Sequence, residues 1–180
     1  MSHSGSASAL DEYTLLQHFN SVDVNGSGSI DARELQRALA KSGLAFSLQL
    51  VALLIRLHTP ATNVEGILSF SEYKMVHEFL QNARASFEHF DTSRTGKLSK
   101  EEIFAALAYC GFGDVDETAI KHACKAFDPD RTNDLGCDQY IGLVLFLTAA
   151  RRTFNSFDSN RTGKITVDFN QFIYAASKTR

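Results

Sequence analysis

Between residues 23 and 34 the chain reads DVNGSGSIDARE, with an oxygen-bearing side chain at every second position as far as Asp31 and a last one at Glu34. That spacing suits one chemistry above others, the wrapping of a hard cation by oxygen. Calcium takes roughly six to eight oxygen ligands, and a short winding loop can deliver them from alternate residues. Asp23, Asn25 and Ser27 offer side-chain oxygens, Ser29 offers its backbone carbonyl, and Asp31 acts through a water. Glu34 closes the sphere with two oxygens. Gly28 sits at the sixth position, where the chain turns sharply and a Cβ is strained. Ile30, at the eighth, faces the core.

These features are those of the twelve-residue loop of an EF-hand, a helix–loop–helix unit. Four further copies open at Ala61, Asp91, Asp128 and Asp158. The copy at 91 supplies Asp91, Ser93, Thr95, the Lys97 carbonyl, Ser99 and Glu102, with Gly96 at the turn. It has one acidic side chain fewer than the first, so weaker binding is expected. The copy at 61 keeps Gly66, Leu68 and Glu72 but begins with Ala61, and without a first oxygen it is read as a hand that folds without metal. The copy at 128 has Asp128 and Asp130, but Asn133 replaces the turn glycine and Gln139 the closing acid. The copy at 158 offers Asp158, Asn160, Thr162 and the Lys164 carbonyl as a weaker third site. Calcium is thus the expected ion, at two sites and more weakly at a third, with magnesium as a substitute.

The first positions fall 38, 30, 37 and 30 residues apart. After twelve loop residues, the short connectors accommodate one helix of about five turns, and the long ones two helices with a link. Tyr73 to Phe90 has neither Gly nor Pro, and Tyr140 to Phe157 has only Gly142, so each reads as a single helix. The long connectors carry breakers at KSGLAFS (41–47) and CGFGDVDE (110–117), with Asp114 or Asp116 as an N-cap. Phe87 and Phe90, Phe154 and Phe157, and Phe127 precede their loops at helical offsets and are expected to bury beneath them. The prediction is an all-α fold of five EF-hands on about eight helices, with short two-stranded contacts between paired loops. A flexible Ser/Gly tail (1–9) precedes one domain (10–180), whose hands lie near 10–42, 47–82, 80–109, 116–148 and 147–177.

Composition narrows the function classes. The net charge is −3, and the basic residues form no run longer than Arg151-Arg152, which gives no stripe for nucleic acid. Cys110, Cys124 and Cys137 form no Cys-x-x-Cys pair and read as reduced thiols of a cytoplasmic protein. YIGLVLFLTAA (140–150) is about half the length that crosses a bilayer and reads as a buried helix. The N-terminus has no signal-peptide pattern, and Ser2 stands where myristoylation requires glycine. No nucleophile and base pair emerges, and the acids are accounted for by the loops, so an enzyme is not expected.

EF-hands occur in pairs, which leaves the fifth without a partner. Its apolar residues Ile165, Phe169, Phe172 and Ile173 would face water unless a second chain covered them about a two-fold axis. Five copies with alternating connectors resemble the penta-EF-hand family over about residues 10–175. GKITVDFNQFIYAA is similar to that family's fifth hand, whose loop is lengthened by two residues and serves dimerisation. The intact first loop and short tail are most like the branch of the apoptosis-linked-gene-two protein and peflin. In such a loop the closing ligand shifts, which places Asn170 near the closing position. The resemblance implies a calcium sensor and adaptor that dimerises, as homodimer or heterodimer, and exposes apolar surface to protein or peptide partners. Membrane association is then indirect, through recruitment on calcium binding. The alternatives are a constitutive regulatory subunit of a calpain-like protease and a calcium buffer.

Overall fold

The computed structural model describes residues 6–60 and 66–179, with side chains from residue 12. Two compact units divide the chain, Met1–Phe79 and Leu80–Arg180. The first contains α1 (Ser6–Val22), α2 (Ala32–Lys41), α3 (Leu48–His58) and the start of α4 (Phe70–Phe90). The second contains the rest of α4, β1 (Lys97–Leu98), α5 (Lys100–Leu107), a π-helical turn (Ala108–Phe112), α6 (Glu117–Phe127), β2 (Leu135–Gly136), α7 (Cys137–Phe157) and α8 (Phe169–Ser177). Helix α1 therefore begins at Ser6, inside the segment read as a tail, where alternating Ala favours helix.

The helices start where local chemistry supplies an acceptor for orphaned N–H groups. Asp31 caps α2 by accepting from the Arg33 and Glu34 amides, Ser47 caps α3, and Ser99 caps α5. Of the two aspartates considered for α6, Asp116 is the cap. Each such cap contributes about 1 kcal/mol. The single long helices α4 and α7 occupy the two short connectors, and the long connectors break at Ser42-Gly43 and at Gly111 and Gly113. At the second break Gly111 has φ 89°, which a side chain would strain.

Pairing of loops goes through their eighth residues. In the first unit Ile30 and Leu68 exchange backbone hydrogen bonds of 2.9 and 2.8 Å. In the second, β1 and β2 are antiparallel, with Leu98 opposite Leu135 and Lys97 opposite Gly136. All four apolar residues are buried, so each ribbon forms the roof of its unit's core. Ile165, the eighth residue of the fifth loop, has no ladder partner among the described residues and is half-buried.

Helix α7 is the centre of the second unit: Ile141, Leu143 and Leu145 have no exposed surface, which matches the buried helix read at 140–150. Tyr140 is equally buried and its hydroxyl is satisfied by Ser86 Oγ at 3.1 Å. The aromatic residues before the loops are less uniform than expected. Phe87 is buried, whereas Phe90, Phe127, Phe154 and Phe157 are half-buried. No described helix is long and apolar enough to cross a membrane. The three cysteines are free thiols, all half-buried.

Candidate metal centres

Four loops share one skeleton of hydrogen bonds. The first-position aspartate accepts the amide of the fifth residue on Oδ1 and that of the sixth on Oδ2. For Asp23 these are Ser27 at 3.0 Å and Gly28 at 2.8 Å; for Asp91, Thr95 at 3.0 Å and Gly96 at 2.8 Å. Asp128 takes Thr132 at 3.0 Å and Asn133 at 2.8 Å, and Asp158 takes Thr162 at 2.8 Å and Gly163 at 2.7 Å. The fifth-position hydroxyl then donates to the seventh carbonyl, from Ser27 to Ser29 and from Thr95 to Lys97 at 2.9 Å each, and from Thr162 to Lys164 at 3.0 Å. Oxygens of residues one, five and seven are thereby gathered in each loop.

This winding needs two residues in the left-handed region. The fourth position is Gly26, Arg94, Arg131 or Arg161, with φ of 67°, 53°, 56° and 54°. The sixth is Gly28, Gly96, Asn133 or Gly163, at 77°, 76°, 62° and 73°. Asn133 thus makes the turn that the missing glycine put in doubt, since a short carboxamide tolerates this region.

The loops differ at the helix that follows. Glu34 is the third residue of α2 and its carboxylate spans two places: Oε2 accepts from the Asp31 amide at 3.0 Å, and Oε1 from the Val24 and Asn25 amides at 3.1 and 3.4 Å. Glu102 in α5 does the same, with Oε2 on the Ser99 amide at 2.9 Å and Oε1 on the Thr92 amide at 3.1 Å and its hydroxyl at 2.7 Å. These donors, that of Ser99 foremost and Thr92 next, hold the Glu102 carboxyl down at about 2. Gln139 and Gln171 stand at the same place in α7 and α8 but reach only the capping amide, at 2.8 and 2.9 Å. A carboxamide has a single acceptor oxygen, so it does not bind the loop's start as well.

The fifth loop corrects one assignment. Its helix is capped by Asp168, the eleventh residue of the loop, whereas Asp31, Ser99 and Gly136 cap from the ninth. The loop is longer by two residues, and the closing place falls on Gln171, not on Asn170. The capping aspartate fixes the helix start and the third helical residue follows from it. In the second hand, Ala61 and the loop start lie outside the described residues; Glu72 accepts from the Ser69 amide at 2.8 Å.

Asn25 Oδ1 accepts the Ser27 amide at 2.8 Å, and the Ser93 hydroxyl donates to Asp91 Oδ1 at 3.2 Å. No three His, Cys, Asp or Glu side chains cluster as a metal site among the described residues. An ion in loops one and three would therefore be held by Asp and Glu at the two ends, with hydroxyl, carboxamide and carbonyl oxygens between. That donor set is hard and oxygen-only, which fits calcium. Sequence reasoning missed the bond between Lys97 Nζ and Asp134 Oδ1, 2.9 Å, which ties loop three to loop four. Nor did it show the Arg151–Asp114 pair beside the π-helical turn, 2.6 Å.

Comparison with known proteins agrees with this geometry. The family model "EF hand" matches residues 16–40. A calcium-binding protein of Oryza sativa subsp. japonica is 34% identical over 157 residues, 86% of this chain and 53% of its own length. Human sorcin is 29% identical over 151 residues, 81% of this chain and 74% of sorcin. The chain thus spans only about half of the rice relative. The solved structure of a homologue of programmed cell death 6 protein from Leishmania major Friedlin superposes with a TM-score of 0.67 at 34% identity, covering 92% of this chain and 94% of that one.

Proposed function

From the premise that this chain belongs to the penta-EF-hand family and is a calcium-binding protein, not an enzyme, we propose that it is a calcium-responsive adaptor with its switching loops at residues 23–34 and 91–102. The observation that carries this reading is the bridging carboxylate of Glu34 and Glu102, found in these two loops and replaced by Gln in loops four and five. Calcium competes for the same oxygens. To coordinate an ion, each glutamate exchanges its amide partners for the metal, and the helix that it begins, α2 or α5, moves with it. Asp23, Asn25, Ser27 and the Ser29 carbonyl complete the first sphere with Asp31 through water; Asp91, Ser93, Thr95 and the Lys97 carbonyl complete the second, with Ser99. Loop five, through Asp158, Asn160, Thr162 and the Lys164 carbonyl, is the weaker third, and magnesium substitutes at low calcium.

The fifth hand serves association. Phe169, Phe172 and Ile173 on α8 are 75%, 56% and 52% exposed, and Ile165 has no ladder partner among the described residues. Joining the same hand of a second chain, identical or related, removes this apolar surface from water. Partners are proteins or peptides taken up when calcium exposes further apolar surface, in the cytoplasm and on membranes to which partners recruit the chain.

Calcium titration with a hydrophobic-surface dye tests the switch, in millimolar magnesium. A chelator-reversible rise at micromolar calcium that disappears in Glu34→Gln/Glu102→Gln supports it. A flat signal despite calorimetric calcium binding sinks the sensor in favour of a buffer or a constitutive subunit.

A further inference from the structure

Helix α1 is attached to α4 by more than apolar packing. Tyr73 is 3% exposed, and its hydroxyl lies 2.7 Å from Nδ1 of His18. The hydroxyl has no second hydrogen-bond partner among the described residues, so the arrangement that satisfies both groups has the phenol O–H donating to an unprotonated Nδ1. Burial pushes the phenol up to about 12, which keeps it a donor. His77 lies one turn along α4, its ring centroid 6.3 Å from that of His18 and 6.2 Å from that of Tyr73. Phe19, next to His18, meets Phe70 and Tyr73 edge-on at 5.4 and 5.5 Å. The Phe19 carbonyl accepts the amide of Asp23 at 2.9 Å, so the last turn of α1 that grips α4 also holds the first oxygen-bearing residue of loop one.

A proton added to His18 occupies Nδ1. The ring must then donate to the phenol oxygen, and the phenol hydrogen is displaced into a buried surrounding where the hydroxyl has no second partner among the described residues. The new charge also faces His77, whose pKa is lowered by burial first and by the nearness of His18 second. A base held below its unfolded pKa destabilises the packed state as acid is added. The packing contribution is complete above roughly pH 6.5 and declines as pH falls below it. The other charges at this contact are Glu12 of α1 and Lys74 of α4, paired with each other at 2.8 Å, with Glu78 exposed farther along α4. Arg33 and Arg37 of α2, and Arg56 and His58 of α3, are not among the groups that shift His77.

We propose that His18, Tyr73 and His77 form a proton-sensitive clasp that positions α1 for loop one, so that acidification weakens calcium binding in the first hand and calcium expels protons from the clasp. The three side chains are positioning residues, acting on the ion only through α1. The inference rests on loop one being a calcium site.

The test is calcium calorimetry at pH 7.5 and pH 6.0 on the full chain carrying Glu102→Gln, so that loop one dominates the signal. A one-unit fall in the pKa of the His77 imidazole on calcium binding changes affinity by about threefold between these pH values. That ratio is expected with the native clasp, and a ratio below about twofold in His18→Gln/His77→Gln. An equal ratio in both proteins overturns the clasp and leaves the calcium site standing, whereas no binding at pH 7.5 refutes the site itself. Proton NMR titration of the His18 and His77 rings in the unsubstituted chain gives a reading that does not depend on a variant folding. Calcium should lower the His77 midpoint, and an unmoved midpoint overturns the proposal.

Discussion

Residues 91–97 and 158–164 fold alike down to individual hydrogen bonds: an aspartate holding the next turn's amides, an arginine in the left-handed region, then glycine, then a threonine hydroxyl on a lysine carbonyl. They part at the following helix. In loop three Glu102 ties the start of α5 back to Thr92, and Leu98 joins a ribbon with Leu135. In loop five the helix starts two residues later, Gln171 reaches only its cap, and the apolar face of α8 is exposed. The comparison shows that the winding of a loop and its coupling to the helix that follows are separable. Backbone amides wind the loop around its first aspartate, while the closing carboxylate couples that loop to a helix.

The largest effect should come from making loop three resemble loop five. Glu102→Gln is expected to weaken calcium binding there by about two orders of magnitude, measured by calorimetry. A loss below about threefold would break the assignment of Glu102 as the closing ligand. The same carboxyl carries a pH signature in chelator: its folded pKa, about 2, lies below the ordinary carboxylate value, so its contribution to stability is present above about pH 4.5 and lost as pH falls toward 2. Urea midpoints across that interval should drop less in Glu102→Gln than in the native chain.

Next in size is the exposed face of α8. Phe172→Asp with Ile173→Asp should weaken self-association by about thirtyfold, or ~2 kcal/mol, in sedimentation equilibrium. Since both side chains are exposed within the chain, its circular dichroism should stay unchanged. The reverse exchange, Gln171→Glu, supplies loop five with the missing carboxylate and should raise its calcium affinity by about tenfold. No gain would assign the weakness to the two-residue insertion itself. The smallest effect is expected at Arg161, whose φ of 54° a glycine adopts freely, as Gly26 does in loop one. Arg161→Gly should change stability by no more than about 1 kcal/mol, read from urea unfolding.

Much of this architecture was legible in the chain. Asp, Gly and Glu at fixed places in residues 23–34 specify a winding loop because each answers a local demand: an acceptor for amides, a left-handed turn, a third helical residue facing its cap. Connector lengths specified the single helices α4 and α7 and the breaks at 41–47 and 110–117 for the same local reason. What local chemistry does not write was misplaced or missed. Gln171, not Asn170, stands at the third helical place of the fifth hand, because the register is set by the cap at Asp168. Phe90, Phe127, Phe154 and Phe157 precede their loops as Phe87 does, yet they are half-buried where Phe87 is buried. Burial depends on which element lies opposite, and that is decided only in three dimensions. The long-range partnerships belong to the same class. Lys97 with Asp134, Ser86 with Tyr140 and His18 with Tyr73 are 37, 54 and 55 residues apart in the chain. By itself the sequence determined the winding of the loops, the caps of the helices and the order of the helices, since these depend on neighbours within one turn. Tertiary structure alone decided which distant polar groups meet, because only packed helices bring them within hydrogen-bond reach.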